Sequence, residues 1–346
     1  MSHKVTLHPA ERSFVVEDGE PILAAAIRQG IGMPYGCRDG ACGSCKSRLL
    51  EGRVVHGPHQ LKALSADEQA RGLILTCCGF AQGDCVIEAR MVPGAGEYPV
   101  LKLPARVLSL ARAAPDVAIV RLQLPANQNL KYRAGQYVEF ILPGGARRSY
   151  SMANAPHALG TPPAIELHIR HMPGGVFTEQ VFGTMKEKDI LRLEGPLGSF
   201  FLREDSERPI VLLASGTGFA PVKAIVEHMQ HKGITRPAVL YWGGRRPRDL
   251  YLHDWCERMA RELPSLRYVP VVSDALPEDG WSGRTGFVHR AVMQDLPDLS
   301  GHQVYACGAP IVVDSAQRDF VASCGLPADE FYADSFTSEA DKHGAM

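Results

Sequence analysis

Three cysteines separated by four residues and then two, in Gly36-Cys37-Arg38-Asp39-Gly40-Ala41-Cys42-Gly43-Ser44-Cys45, constrain this chain more than any other feature. C-x4-C-x2-C is the spacing with which one loop wraps a two-iron, two-sulfide cluster, and a fourth thiolate is available at Cys77 in Leu75-Thr76-Cys77. The glycines have a reason in that setting. A tight wrapping loop needs positive-φ positions and lets backbone N–H groups approach the sulfides, which supports the reduced, more negative state. Clustered cysteines also suit a structural zinc site, or a thioredoxin-like pair at Cys42 and Cys45. Zinc knuckles usually pair two C-x2-C units, and a thioredoxin pair opens a helix after a strand; neither context is present.

A length of 346 residues exceeds one ordinary core and leaves room for three domains. The formal charge is −1, with Lys and Arg dispersed, so neither a nucleic-acid footprint nor a polybasic membrane anchor is expected. Residues 1–9 lack the apolar stretch of an export signal. No window reaches the roughly 18 apolar residues that span a bilayer. A soluble cytoplasmic protein is expected, and in a reducing compartment clustered cysteines read as ligands rather than disulfides.

Along the chain, Val5, Leu7, Phe14 and Val16 alternate as in a hairpin, and 21–27 reads as a short helix ended at Gly30. The Gly- and Pro-rich text 91–99 has no period and reads as a linker. Short β-rich stretches at 105–110, 117–124, 136–142, 164–169 and 190–193 suggest a small antiparallel barrel. Beyond Arg208, strand, glycine loop and helix alternate: 209–214 into 222–230, then strands at 238–242, 267–272 and 303–306. That pattern predicts a doubly wound α/β domain. His168 with His171, and His228 with His231, are closely spaced but read as solvated or structural histidines rather than a metal site.

Four further motifs follow in order: Arg148-Ser149-Tyr150-Ser151; Gly174-Gly175-Val176-Phe177-Thr178 after a strand; Ser215-Gly216-Thr217-Gly218-Phe219-Ala220-Pro221 between strand and helix; and Cys307-Gly308-Ala309-Pro310 at a strand end. With the cysteine loop, they make the chain resemble the ferredoxin-NAD(P)+ reductase superfamily with an N-terminal plant-type [2Fe-2S] ferredoxin domain, over nearly its whole length. In layout it is most similar to CDP-6-deoxy-delta-3,4-glucoseen reductases and to reductase components of aromatic-ring oxygenases. The resemblance implies a multidomain fold: an α+β β-grasp ferredoxin domain at 1–93, a linker at 94–102, an antiparallel β-barrel FAD domain at 103–205, and an α/β doubly wound NAD(P) domain at 206–341.

The resemblance also assigns residues. Cys37, Cys42, Cys45 and Cys77 ligate the cluster; Cys77 is preferred to Cys78 because its Leu-Thr-Cys setting, with Asp84 following, matches the ferredoxin pattern, leaving Cys78 and Cys85 as spare thiols. Arg148 pairs with the flavin pyrophosphate, Tyr150 packs on the isoalloxazine and Ser151 sits near N5; a guanidinium fork suits phosphate and a phenol suits a flat π-system. Gly174, Gly175 and Thr178 open a helix toward the pyrophosphate. Gly216, Thr217, Gly218 and Pro221 form a G-x-G-x-x-P nicotinamide loop, the proline expected at the first helical position. Cys307 and Gly308 lie by the nicotinamide, and Phe336, in Phe331-Tyr332-Ala333-Asp334-Ser335-Phe336, covers the flavin.

NADPH-dependent relatives carry Ser-Arg where this chain has Ser273-Asp274, and a carboxylate there repels a phosphate, so NADH is favoured. Arg245, Arg246 and Arg248 on the adjacent loop keep NADPH open. The expected activity is hydride transfer to FAD and single-electron transfer through the cluster edge near 38–44 to a separate protein, a pyridoxamine-dependent dehydrase or an oxygenase component. A redox-sensing module without turnover is the alternative of another class, and free-flavin reduction a third; intact motifs weigh against the former and an attached cluster against the latter.

Overall fold

A computed structural model describes residues 2–337, which fall into two compact units: 2–99 with 198–200 and 335–337, and 100–197 with 201–334. The first opens with β1 (Ser2–His8) and β2 (Arg12–Glu17), an antiparallel pair. Strand period two sends Val5, Leu7, Phe14 and Val16 into one core. α1 (Ile22–Arg28), β3 (Lys46–Glu51), β4 (Val54–His56), α2 (Ala66–Ala70), β5 (Leu73–Leu75), β6 (Gly79–Ala81) and β7 (Cys85–Glu88) follow. Five strands form a mixed sheet in the order β2-β1-β7-β3-β5, β1 and β7 running parallel, while β4 pairs with β6 separately.

Residues 91–99 carry no strand or helix, as a linker should, yet their start is fastened to this unit. Val92 N–H donates to Gly32 O at 3.0 Å, and Val92 and Ala95 are buried. A Cβ on Gly32 would come within 2.6 Å of the Val92 and Ala95 carbonyl oxygens, so the approach requires glycine.

In the second unit, β8 (Leu101–Ala114), β9 (Val117–Gln123), β10 (Tyr137–Ile141), β11 (Arg147–Ser151), β12 (Ala164–Arg170) and β13 (Ile190–Leu197) form one sheet, with α3 (Val176–Gly183) between the last two in sequence. The order is β11-β10-β13-β8-β9-β12, and a bridge from Met152 to Leu167 joins the end of β11 to β12, closing the sheet into a barrel. The Arg148-to-Ser151 motif is itself a barrel strand.

The same unit continues with β14 (Ile210–Ser215), α4 (Phe219–Lys232), β15 (Ala238–Gly244), α5 (His253–Glu262), β16 (Leu266–Val272), β17 (Arg284–Thr285), α6 (Val288–Asp295), β18 (Gln303–Gly308), α7 (Pro310–Ser323) and β19 (Phe331–Ser335). The sheet order is β17-β16-β15-β14-β18-β19, and the paired neighbours from β17 to β18 run parallel. Strand order reverses between β14 and β18, so a crevice opens beyond their carboxyl ends. β14 is buried from Ile210 to Ala214, which explains its unbroken apolar run. Among the described residues no helix is long and apolar enough to cross a membrane.

Candidate redox centres

The cysteine loop turns through left-handed backbone at Arg38 (φ 65°), Gly40 (φ 76°) and Gly43 (φ 78°). Those turns aim amides at sulfur: Cys37 Sγ accepts from Ala41 N–H at 3.4 Å and Cys42 N–H at 3.3 Å, and Cys42 Sγ accepts from Cys37 N–H at 3.4 Å. Thr76, fully buried, fastens the fourth cysteine to the loop. Its hydroxyl and its N–H both donate to Cys45 O, at 3.3 and 3.4 Å, and its carbonyl accepts the Leu23 N–H at the start of α1.

Sulfur contacts join Cys37 to Cys42 and Cys77, Cys45 to Cys77, and Cys77 to Cys78. Thiols packed this closely cannot all ionise. Hydrogen bonds from Cys42 and Cys77 hold Cys37 well below the usual thiol range, while Cys37 and burial push Cys42 well above it; Cys37 and Cys45 push Cys77 up in the same way. Cations among the sulfurs would remove the conflict, so the donor set fits an iron cluster. Among the described residues no three His, Cys, Asp or Glu side chains gather as ligands of one metal ion. A two-iron cluster takes two thiolates per iron, so four cysteines serve two ions rather than one. Cys85 stands apart, its thiol donating to Gly83 O at 3.3 Å.

On the barrel, strand alternation puts Arg148 and Tyr150 on one face of β11 and buries Ser151 on the other. Tyr150 lies 5.3 Å from the Phe177 ring and 5.9 Å from Phe140, and Phe140 stacks on Phe177 at 4.6 Å. Burial raises the Tyr150 phenol above its ordinary range, so it stays protonated. Arg147 is committed to Glu139 at 2.5 Å and Glu194 at 2.7 Å, leaving Arg148 as the arginine of the pair on the Tyr150 face. Thr178 turns inward: its hydroxyl donates to Met172 O at 2.9 Å and accepts from Met172 N–H at 3.2 Å, shaping the Gly174-Gly175 turn into α3. Glu179 caps that turn by accepting Gly174 N–H at 2.9 Å.

The carboxyl ends of β14 and β18 meet through glycine. A Cβ on Gly218 would collide with the Cys307 carbonyl oxygen, and Ala309 N–H donates to Ser215 Oγ at 3.0 Å. Trp242 Nε1–H donates to Gly216 O at 3.0 Å and its ring stacks on Phe219 at 3.9 Å, fixing the loop from behind. Pro221 is the third residue of α4, after a turn at 216–218, rather than the first as expected. The substitution still costs little, because the first four helical N–H groups lack intrahelical acceptors.

Two residues that sequence reasoning missed complete the centre. Asp334 Oδ2 accepts from Ser151 Oγ–H at 3.2 Å and from the Cys307 thiol at 3.9 Å, so one carboxylate on β19 joins the serine that ends β11 to the cysteine near the end of β18. Burial, and then the charge of Asp334, holds the Cys307 thiol well above its ordinary range, hence neutral. The signal was an acidic residue inside an aromatic terminal strand. Arg170, at the end of β12, keeps Nε and Nη2 buried without a partner, and a Cβ on Gly216 would lie 3.3 Å from Nη2. Nη1 pairs with Asp116 at 3.5 Å, so the guanidinium offers a phosphate two donors beside the glycine loop, and no spacing in the sequence announces it. Phe336, half-buried, follows β19 directly.

At the far end of the crevice, Arg246 grips Asp279 through Nε at 2.6 Å and Nη2 at 2.8 Å. Buried Asp249 accepts the N–H groups of Arg245 and Arg246, and Asp274 N–H donates to Arg245 O at 2.8 Å. The side chains of Arg245 and Arg248 are exposed.

Three family descriptions match in this order: "2Fe-2S iron-sulfur cluster binding domain" over residues 5–82, "Oxidoreductase FAD-binding domain" over 104–202 and "Oxidoreductase NAD-binding domain" over 212–318. Together they define an iron–sulfur flavoprotein oxidoreductase dependent on NAD(P)H. The chain is 41% identical to CDP-6-deoxy-L-threo-D-glycero-4-hexulose-3-dehydrase reductase of Yersinia pseudotuberculosis, covering 97% of this chain and 99% of the relative. It is 36% identical to terephthalate 1,2-dioxygenase, reductase component 2, of Comamonas sp, covering 99% and 100%. Among solved structures, the ferredoxin reductase in carbazole 1,9a-dioxygenase superposes with a TM-score of 0.70 at 26% identity, covering 97% of this chain and 99% of that one. The chain belongs to the ferredoxin-NAD(P)+ reductase superfamily whose members carry an N-terminal ferredoxin domain.

Proposed function

We propose that the protein takes hydride from NADH and delivers electrons singly to a separate cytoplasmic protein, a dehydrase of CDP-linked deoxyhexuloses in the first instance and an oxygenase component in the second. When bound, FAD accepts the hydride pair and the [2Fe-2S] cluster carries one electron at a time, so the chain converts two-electron input to one-electron output. The chain's own residues supply geometry. Ser151 and Cys307 present neutral hydrogen-bonding groups toward flavin and nicotinamide, and Asp334 fixes the distance between them. Arg148, Tyr150, and the Gly174-Gly175 turn shaped by Thr178 hold the flavin. Gly216, Thr217, Gly218, Pro221 and Gly308, with Arg170, hold the dinucleotide. Cys37, Cys42, Cys45 and Cys77 hold the cluster.

The observation that carries this reading is Asp334 bonded to both Ser151 and Cys307, because it brings the end of the barrel motif strand and the carboxyl end of β18 to one point, where a flavin ring and a nicotinamide ring could meet. The test is an anaerobic NADH titration followed by visible absorbance and low-temperature electron paramagnetic resonance, with each acceptor class then added. Flavin bleaching with a reduced-cluster signal, discharged by the dehydrase, supports the first reading; discharge by an oxygenase component alone moves it to the second. Bleaching without the signal rejects the cluster assignment.

A further inference from the structure

A buried lysine outside the sites described above joins the two halves of the second unit. Lys223, on the second turn of α4, is 7% exposed, and its Nζ donates to Ala153 O at 3.0 Å, to Glu227 Oε1 at 2.7 Å and to Glu166 Oε1 at 3.1 Å. Glu227, one turn further along α4, accepts Ala155 N–H through Oε2 at 2.9 Å. Lys223 and Glu227 thus grip a carbonyl and an amide two residues apart on one barrel segment, much as a neighbouring strand would. Behind them Glu166 also bonds His168 Nε2 at 3.1 Å, and His168 Nδ1 meets the Tyr251 hydroxyl at 2.9 Å.

Position gives the grip its meaning. Ala153 lies two residues after Ser151, and Lys223 lies five residues after Gly218. We infer that the Lys223–Glu227 pair is a clasp setting the separation and tilt of the flavin strand and the nicotinamide loop, which makes Lys223 a positioning residue for hydride transfer. The inference rests on the reading that the Ser151 and Cys307 sites exchange hydride. Apolar packing alone would hold the two halves together as firmly, since a buried ion pair is weak support for stability. What it adds is a fixed register between main chain and helix, and rates of oriented transfer fall steeply with misplacement.

The experiment compares the FAD- and cluster-loaded wild type with Lys223→Met, Lys223→Arg and the triple variant Lys223→Met, Glu166→Gln, Glu227→Gln, which leaves no buried charge unpaired if the single change will not fold. Flavin bleaching by NADH, its deuterium isotope effect, the long-wavelength flavin–nicotinamide absorbance and hydrogen exchange of residues 152–158 are read. The triple variant is expected to keep FAD and cluster, exchange faster at 153–155, lose most of the long-wavelength absorbance and bleach about tenfold or more slowly. Lys223→Arg should return most of the rate. A triple variant that bleaches at the wild-type rate with the same absorbance overturns the inference, as does a slowed rate that merely tracks lost FAD. A wild type that NADH does not bleach at all defeats the underlying reading instead, and the exchange measurement still reports whether the clasp exists.

Discussion

The cluster loop and the flavin–nicotinamide centre solve the same problem, holding redox groups rigidly, in opposite ways. Three of the four cysteines proposed as cluster ligands lie within nine consecutive residues, and the fourth is fastened by one buried threonine, Thr76. The Ser151–Asp334–Cys307 set draws on β11, β18 and β19, with serine and aspartate 183 positions apart. A site built within one loop is encoded by spacing. A site built across a fold is encoded by where strands end, and its residues can be separated from their neighbours in sequence without penalty.

The sharpest way to break the comparison is at the fourth ligand. Cys77→Ser should abolish the reduced-cluster resonance and electron delivery to the acceptor while NADH still bleaches the flavin, because the two centres share no side chain. Cys78→Ser should keep all three signals. If the neighbouring substitution abolishes the resonance and Cys77→Ser does not, the ligand is Cys78.

Removing iron contrasts the thiols directly. Cys37 and Cys42 are partly buried, and Cys37 is held toward the thiolate, whereas Cys307 is fully buried and held neutral. Alkylation follows thiolate fraction and access, so after chelation at about pH 8 iodoacetamide should label Cys37 more than a hundredfold faster than Cys307, read by peptide mass spectrometry. Equal labelling would mean that the α/β site opens to solvent.

Next in size is Asp334→Asn. The amide keeps the volume and can still accept the serine hydrogen bond, but it removes the charge that both Ser151 and Cys307 face. Flavin reduction should slow by about ten- to a hundredfold, with cluster reoxidation by the acceptor unchanged. A loss confined to KM would place Asp334 in nicotinamide binding rather than in alignment.

Legibility divided along the same line. The cysteine spacing, the barrel strands, the α/β alternation and the order of the motifs were all readable, because each is a local pattern of period, turn or ligand chemistry. Periodicity did not mark β11, since Arg147-Arg148-Ser149-Tyr150-Ser151 lacks apolar alternation, although the motif's residues also read as a barrel strand with a polar edge. Lys223 belongs to no motif in the sequence. Only the packing of α4 against the segment after β11 buries it. Arg170 and Asp334 were hidden for the same reason: their partners are main-chain ends and side chains brought together by topology.

The smallest effect concerns cofactor choice, where the sequence left Asp274 and three arginines in opposition. The structure changes the balance by closing Arg246 onto Asp279, whose carboxyl is drawn down to about 2 by the Arg246 hydrogen bonds. A guanidinium already forked onto one carboxylate, with Glu278 3.6 Å away and Asp274 on the neighbouring loop, offers a 2′-phosphate little net attraction. Asp279→Asn should release it, raising the NADPH-to-NADH ratio of kcat/KM several-fold and leaving the NADH value near wild type, as befits a solvent-screened pair. Adding Arg246→Ala should cancel the gain. If the single change leaves the ratio fixed while Arg245→Ala or Arg248→Ala lowers it, the phosphate is held by the exposed arginines, and the discrimination rests on Asp274 alone.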